Sequence, residues 1–165
     1  MESALIISNT TPLINFAEIG RMKVLEALFG TLVIPPAVTE ELAAKSGLFP
    51  KAAQVPALPR ITIMAPADHL LAKGLASRMH RGEAECLALA MEHPGSLLLL
   101  DDLAAREFAA ANGLFFTGTL GCLADAKQQG LIPAIEPVLH ELRTKARFWI
   151  SNRLTERVLR RAGER

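Results

Sequence analysis

Ala4-Leu5-Ile6-Ile7-Ser8-Asn9-Thr10-Thr11-Pro12-Leu13 holds the two signals that decide the fold. Four apolar residues in a row fit a short strand buried on both faces, since a strand with one wet face would alternate. The run stops at Ser8, where polar side chains ahead of Pro12 read as a helix start. Proline then takes the first helical position, where its missing N–H is no loss. Leu13, Phe16 and Ala17 recur at helical spacing up to Gly20. A strand buried on both faces belongs in a parallel sheet covered by helices.

The same alternation continues outward. Val24, Leu25 and Leu28 mark a helix ended by Gly30, and residues 31–34 a strand closed by Pro35-Pro36. Val38, Glu41 and Leu42 begin the next helix. Residues 47–59 hold three prolines and read as a loop with room for one short helix. Ile61 and Ile63 alternate with Thr62 and Met64 in a third strand. Helical character over 68–79 restarts after Gly82, where Ala84, Leu87, Ala88 and Met91 share a face. Residues 96–100 are the clearest buried strand, followed by a helix over 103–112, a strand over 114–116 and a helix over 119–129. Past Pro133 and Pro137 come two more helices, the second capped by Ser151. The pattern predicts one α/β domain over 1–165, with a twisted parallel sheet of four to five strands and helices on both faces. Residues 134–165 form a basic helical C-terminal extension.

Composition agrees. The chain has 165 residues, 50% of them hydrophobic, which suits one core. With 21% charged residues it is no disordered chain, and no apolar run approaches the ~20 residues of a membrane span. Met1-Glu2-Ser3 lacks the basic start of a secretory signal. Cys86 and Cys122 cannot build a disulfide framework and read as core thiols in a reducing cytoplasm. The net charge of +1 hides an asymmetry. Between Arg143 and Arg165, eight basic residues face only Glu156 and Glu164, a net +6, which leaves −5 upstream. A basic tail on an acidic body suits a protein that holds cations and meets a polyanion, while its bland reading is a solvated amphipathic helix.

In an open parallel sheet, ligands gather beyond the carboxyl ends of the strands. Asn9 follows the first strand, Asp101 and Asp102 follow the strand ending at Leu100, and Thr117, Gly118 and Thr119 follow Phe116. Glu41 lies early in a helix that leaves that edge, and Glu83 at the start of a helix that returns from it. Clustered carboxylates repel unless a cation sits among them, and Mg²⁺ or Mn²⁺ suits oxygen ligands. Such an ion supports phosphodiester cleavage. Each residue also has a plain reading: Glu83 favours a helix dipole, one of the aspartates caps the helix from Leu103, Glu41 is solvated, and Asn9 supports a turn. The four histidines show no zinc spacing, and no dinucleotide loop, Walker loop or nucleophile elbow is present. Asp101-Asp102 with Thr119 and Lys127 does not make a phosphoacceptor receiver, whose acid pair would follow the first strand. With one tryptophan and no tyrosine, a stacking platform for bases is thin.

The assembled segments resemble the PIN domain, in the VapC-like branch of prokaryotic PIN proteins. The likeness runs through Ser8-Asn9-Thr10-Thr11-Pro12-Leu13, Pro35-Pro36 with Glu41-Leu42, and Gly82-Glu83-Ala84-Glu85. It continues through Leu100-Asp101-Asp102 with Arg106, Gly118-Thr119-Leu120-Gly121 with Lys127, and Ala162-Gly163-Glu164. The resemblance implies a metal-dependent ribonuclease acting on RNA, often the toxin of a toxin–antitoxin pair, commonly a homodimer and inhibited by a small antitoxin protein. It maps metal ligands onto Glu41, Glu83, Asp102 and Asn9, with Asp101 and Thr119 in support, and prefers Glu83 over Glu85. Asn9 departs from the pattern, which has aspartate there, so a catalytically degenerate RNA- or protein-binding module is the alternative.

Overall fold

In a computed structural model that describes residues 4–165, the opening run becomes β1 (Ile6–Ser8), followed directly by α1 (Thr10–Glu18). Met1-Glu2-Ser3, read above for their lack of a secretory start, lie outside the described residues. The helix starts two residues earlier than the proline suggests, so Pro12 is its third residue. Ser8 still pairs with Leu99 on the neighbouring strand, and the Asn9 N–H donates to the Leu99 carbonyl at 3.1 Å, which keeps the chain extended up to Asn9. Pro12 remains harmless there, because N–H groups in a first turn have no partner within the helix.

The chain continues through α2 (Met22–Phe29), β2 (Leu32–Ile34) and α3 (Pro36–Ala44), and a 3-10 turn at Ala52–Ala57 occupies the proline-rich loop. Then come β3 (Ile61–Ile63), α4 (His69–Ala76), α5 (Arg81–Glu92), β4 (Leu97–Leu99), α6 (Leu103–Ala111), β5 (Phe115–Thr117) and α7 (Thr119–Gln128). The strands form one parallel five-stranded sheet in the order β3-β2-β1-β4-β5. Helices cover both faces: α1 packs on α2 and α2 on α7, while α4 packs on α5 and α5 on α6. The central strands bring Ile7, Ile34, Leu98 and Leu99 into the core with no exposed surface. Edge strands are wetter, with Ile63 and Phe115 more than half exposed.

Two helices close the chain, α8 (Glu136–Lys145) and α9 (Asn152–Arg161), and the Ser151 hydroxyl caps the second by accepting the Leu154 N–H at 3.1 Å. Leu139 and Leu142 of α8, Leu159 of α9 and Ile135 just ahead of α8 join the same core. Gly163, at φ 75°, turns the chain in a way a Cβ would resist, and so delivers Glu164 to the start of α8. There the Glu164 carboxylate accepts the N–H groups of Ile135 (2.8 Å) and Glu136 (3.1 Å) and pairs with Lys127 at 3.0 Å. Lys127 also donates to the Ala162 carbonyl at 2.7 Å, so this clasp ties α7, α8 and α9 together. No helix among the described residues is long and apolar enough to cross a membrane.

Candidate active site

Because all five strands run the same way, their carboxyl ends share one rim, and every residue that follows a strand is delivered there. Asn9 occupies the N-cap position of α1 (φ −79°, ψ 177°), yet its side chain makes no capping bond. It is buried at 4% exposure, and its Oδ1 has no hydrogen-bond donor. An orphaned buried carbonyl oxygen is costly, so this atom calls for a hydrogen-bond donor or a cation.

Glu41 rises from the second turn of α3 and is already engaged. It accepts the Thr10 hydroxyl on one oxygen and the Gly82 N–H, at 3.1 Å, on the other. A Cβ at Gly82 would stand 2.7 Å from Glu41 Oε1, so a larger residue there would push this carboxylate aside. Next along α5, Glu83 accepts the His80 N–H at 3.1 Å. Burial first, and then the charge of Asp102, push its carboxyl above the ordinary 4.5. Glu41 adds a smaller push, and the His80 bond opposes them. Glu83 is thus a buried acid crowded by two others from different elements.

The two aspartates divide their roles. Asp102 caps α6, with Oδ2 accepting the Ala105 N–H at 2.9 Å, so the plain reading holds for this residue while its charge still reaches Glu83. Asp101 faces α7, taking the Thr119 N–H at 2.8 Å and the Thr119 hydroxyl at 2.6 Å. Burial still raises its carboxyl above the usual range, against those two bonds and the nearby Arg106. Thr119, fully buried, also accepts from Asn15 Nδ2 at 2.9 Å. Glu85 turns instead to the start of α3, accepting the Ala37 N–H at 2.8 Å.

The rim therefore has two linked parts. One is Thr10, Glu41, Gly82, Glu83 and Asp102, and the other is Asp101, Thr119 and Asn15. Asn9 lies beside the backbone that leads from β4 into Asp101. Sequence reasoning missed the roles of Thr10, Asn15 and Gly82. Asn15 had a signal, being the one polar residue in Leu13-Ile14-Asn15-Phe16, and it is buried at 1%. Below the rim, the Cys86 thiol donates to the Ser8 carbonyl at 3.4 Å; burial, then the charge of Glu41, push it well above its ordinary range. Cys122 is likewise buried, and its thiol is pushed up to about 12 by burial and then by Asp101. Both are inert core thiols. Among the described residues, no three His, Cys, Asp or Glu side chains form a ready-made metal cage.

A family model described as a PIN domain, DUF3368, matches residues 5–164. The chain belongs to this PIN-domain family. No curated protein and no solved structure matches it. PIN domains have a nuclease-type fold and generally use divalent metal ions. In this PIN domain the acids stand at the strand-carboxyl rim. A cavity of about 490 Å³ lies at the opposite edge, where Leu32 and Ile61 begin their strands.

Proposed function

We propose that this PIN-domain protein is a divalent-metal-dependent endoribonuclease of the VapC toxin type, hydrolysing RNA phosphodiester bonds in the cytoplasm. The observation that carries this reading is a buried Glu83 at the strand-carboxyl rim, its carboxyl raised by burial and then by the charges of Asp102 and Glu41. A cation relieves that repulsion. The orphaned Asn9 Oδ1 supports the same conclusion, and an all-oxygen donor set fits Mg²⁺ or Mn²⁺. Glu83, Asp102 and Asn9 would hold the ion. Glu41 would share its remaining lone pairs, since both its oxygens already accept bonds. When bound, the ion supplies Lewis-acid charge to phosphate oxygens and makes water more acidic.

The chain's own residues do the rest. Glu83, whose carboxyl burial and then the charge of Asp102 raise, would gain most from a cation beside it. Asp101 and Thr119 lock the turn that carries Gly118, and Asp102 fixes the start of α6 beside it. The arginines at 147, 153, 157, 160 and 161 offer contacts to the RNA backbone or to a small acidic antitoxin. The toxin reading also brings a homodimer.

Asn9 supports a second reading. An amide oxygen lacks a carboxylate's charge, and no three-residue cage stands beside it among the described residues. A PIN domain with silenced chemistry would then serve as an RNA- or protein-binding module. One experiment separates the two: cleavage of a mixed RNA pool by the purified protein with Mn²⁺, Mg²⁺ or chelator, alongside Asp102→Ala and Asn9→Asp. Metal-dependent cutting that Asp102→Ala abolishes supports the nuclease. Cutting by Asn9→Asp alone supports the silenced module, and cutting that persists in chelator overturns both.

A further inference from the structure

A cavity of about 600 Å³ between α7 and α9 has Leu120 and Val158 on its apolar floor and Arg106, Lys127, Arg157 and Arg161 on its walls. No carboxylate lines it. Lys127 is neutralised by Glu164, but Arg157 and Arg161 have no ion-pair partner among the described residues. Arg106 belongs to the rim as well as to the cavity. Its guanidinium lies over the Phe116 ring, 5.1 Å from the centroid, and its Nε is buried without an acceptor. A Cβ on Gly118 would meet both Asp101 Oδ1 (2.7 Å) and Arg106 Nη2 (3.2 Å), so these two groups flank the same backbone point.

We propose that this cavity is a phosphate subsite for RNA. Arg157 and Arg161 hold a backbone phosphate of the strand that reaches the rim, and Arg106 joins the two places. Cations without a counter-charge want a polyanion, and guanidinium forks match phosphate geometry. The volume falls within the range of nucleotide-sized ligand sites, and the apolar floor offers a surface for a ribose or base. What happens at the rim rests on the nuclease reading; binding in the cavity does not. The subsite also narrows the five candidate arginines to two.

The test is fluorescence anisotropy of a labelled single-stranded RNA with the full chain, in chelator, over a series of NaCl concentrations. Arg157 and Arg161 are exposed, so their removal leaves the core intact. R157A/R161A should weaken binding about tenfold and lower the slope of log Kd against log salt by about 0.7, the loss of one neutralised single-strand phosphate. R153A/R160A, on the same helix but outside the cavity lining, should change affinity less than about threefold. Equal losses in both pairs would mean diffuse charge and overturn the subsite. So would no loss in R157A/R161A, or polyglutamate displacing RNA as well as RNA of equal charge does, which would assign the surface to an acidic protein. Cleavage is read separately. If the wild type cuts no RNA yet the binding pattern holds, the nuclease reading falls and the subsite stands. If it cuts, and R157A/R161A alters neither Kd nor KM, the subsite falls alone.

Discussion

Glu164 and Glu83 are both carboxylates drawn out of water at the start of a helix, and the fold pushes them in opposite directions. At Glu164 burial opposes ionisation, but the N–H groups of Ile135 and Glu136 and the Lys127 ammonium outweigh it and hold the carboxyl below its ordinary value. At Glu83 burial is joined by the charges of Asp102 and Glu41, and the single N–H of His80 does not offset them. The first arrangement is matched donor for acceptor and serves to hold helices together. The second places like charges within reach of each other, which raises the cost of ionising Glu83. A mismatched set of acids kept in the same fold as a matched one is what the proposed metal site at the rim would require.

The largest expected effect comes from neutralising the mismatched acid. Glu83→Gln keeps an acceptor for the His80 N–H, so metal-dependent RNA cleavage should fall about a thousandfold while metal-free stability at neutral pH rises by about 1 kcal/mol. A loss of stability in urea unfolding would break the comparison. Removing the matched acid should do the reverse. Glu164→Ala strips two helix-start N–H groups and leaves Lys127 with only a carbonyl, which should cost about 3 kcal/mol in urea unfolding. Thr119→Val is smaller, about 2 kcal/mol, because it leaves one oxygen of Asp101 and the Asn15 amide without their partner. The same equilibrium unfolding checks it.

The pH dependence sharpens the contrast most finely. An acid with a raised folded-state value binds its proton more tightly when folded, so its penalty exists at neutral pH and vanishes on acidification. The stability advantage of Glu83→Gln over wild type, measured in chelator, should therefore shrink as pH falls toward 4.5. The clasp has the opposite sign. The deficit of Glu164→Ala should persist down to 4.5 and close only below it, as the wild-type carboxyl takes up its proton. Gaps that move together with pH would show that the two carboxylates do not differ as described.

Much of the architecture was legible because it is written locally. Buried runs such as 96–100 and the glycine stops at 30, 113 and 130 predict the alternation of strands and helices, and parallel strands then imply one shared rim. Even the capping of α6 by one of the two aspartates was readable from their place before Leu103, although which of them caps was not. Pairings across the fold were not. Nothing in the spacing of Glu41 says that Thr10 and Gly82 occupy its oxygens, since those partners lie 31 and 41 residues away. Nor does a polar residue ahead of a helix reveal that it declines to cap. The Asn9 side chain makes no capping bond while its N–H continues the pairing of β1 with β4, and only the assembled sheet shows this.

The bond from Asn15 to Thr119 spans 104 residues, and it has a consequence for how the protein comes into being. Synthesis delivers the N-terminal part first. A nascent chain that stops short of Thr119 already contains Asn9, Glu41, Glu83 and both aspartates, yet it has nothing to grip Asp101 or to receive Asn15. The clasp at Glu164 comes later still. A fragment released before these residues would therefore carry the acids without the frame that aligns them, so the chemistry proposed for this protein depends on the segment that brings Thr119 and Glu164.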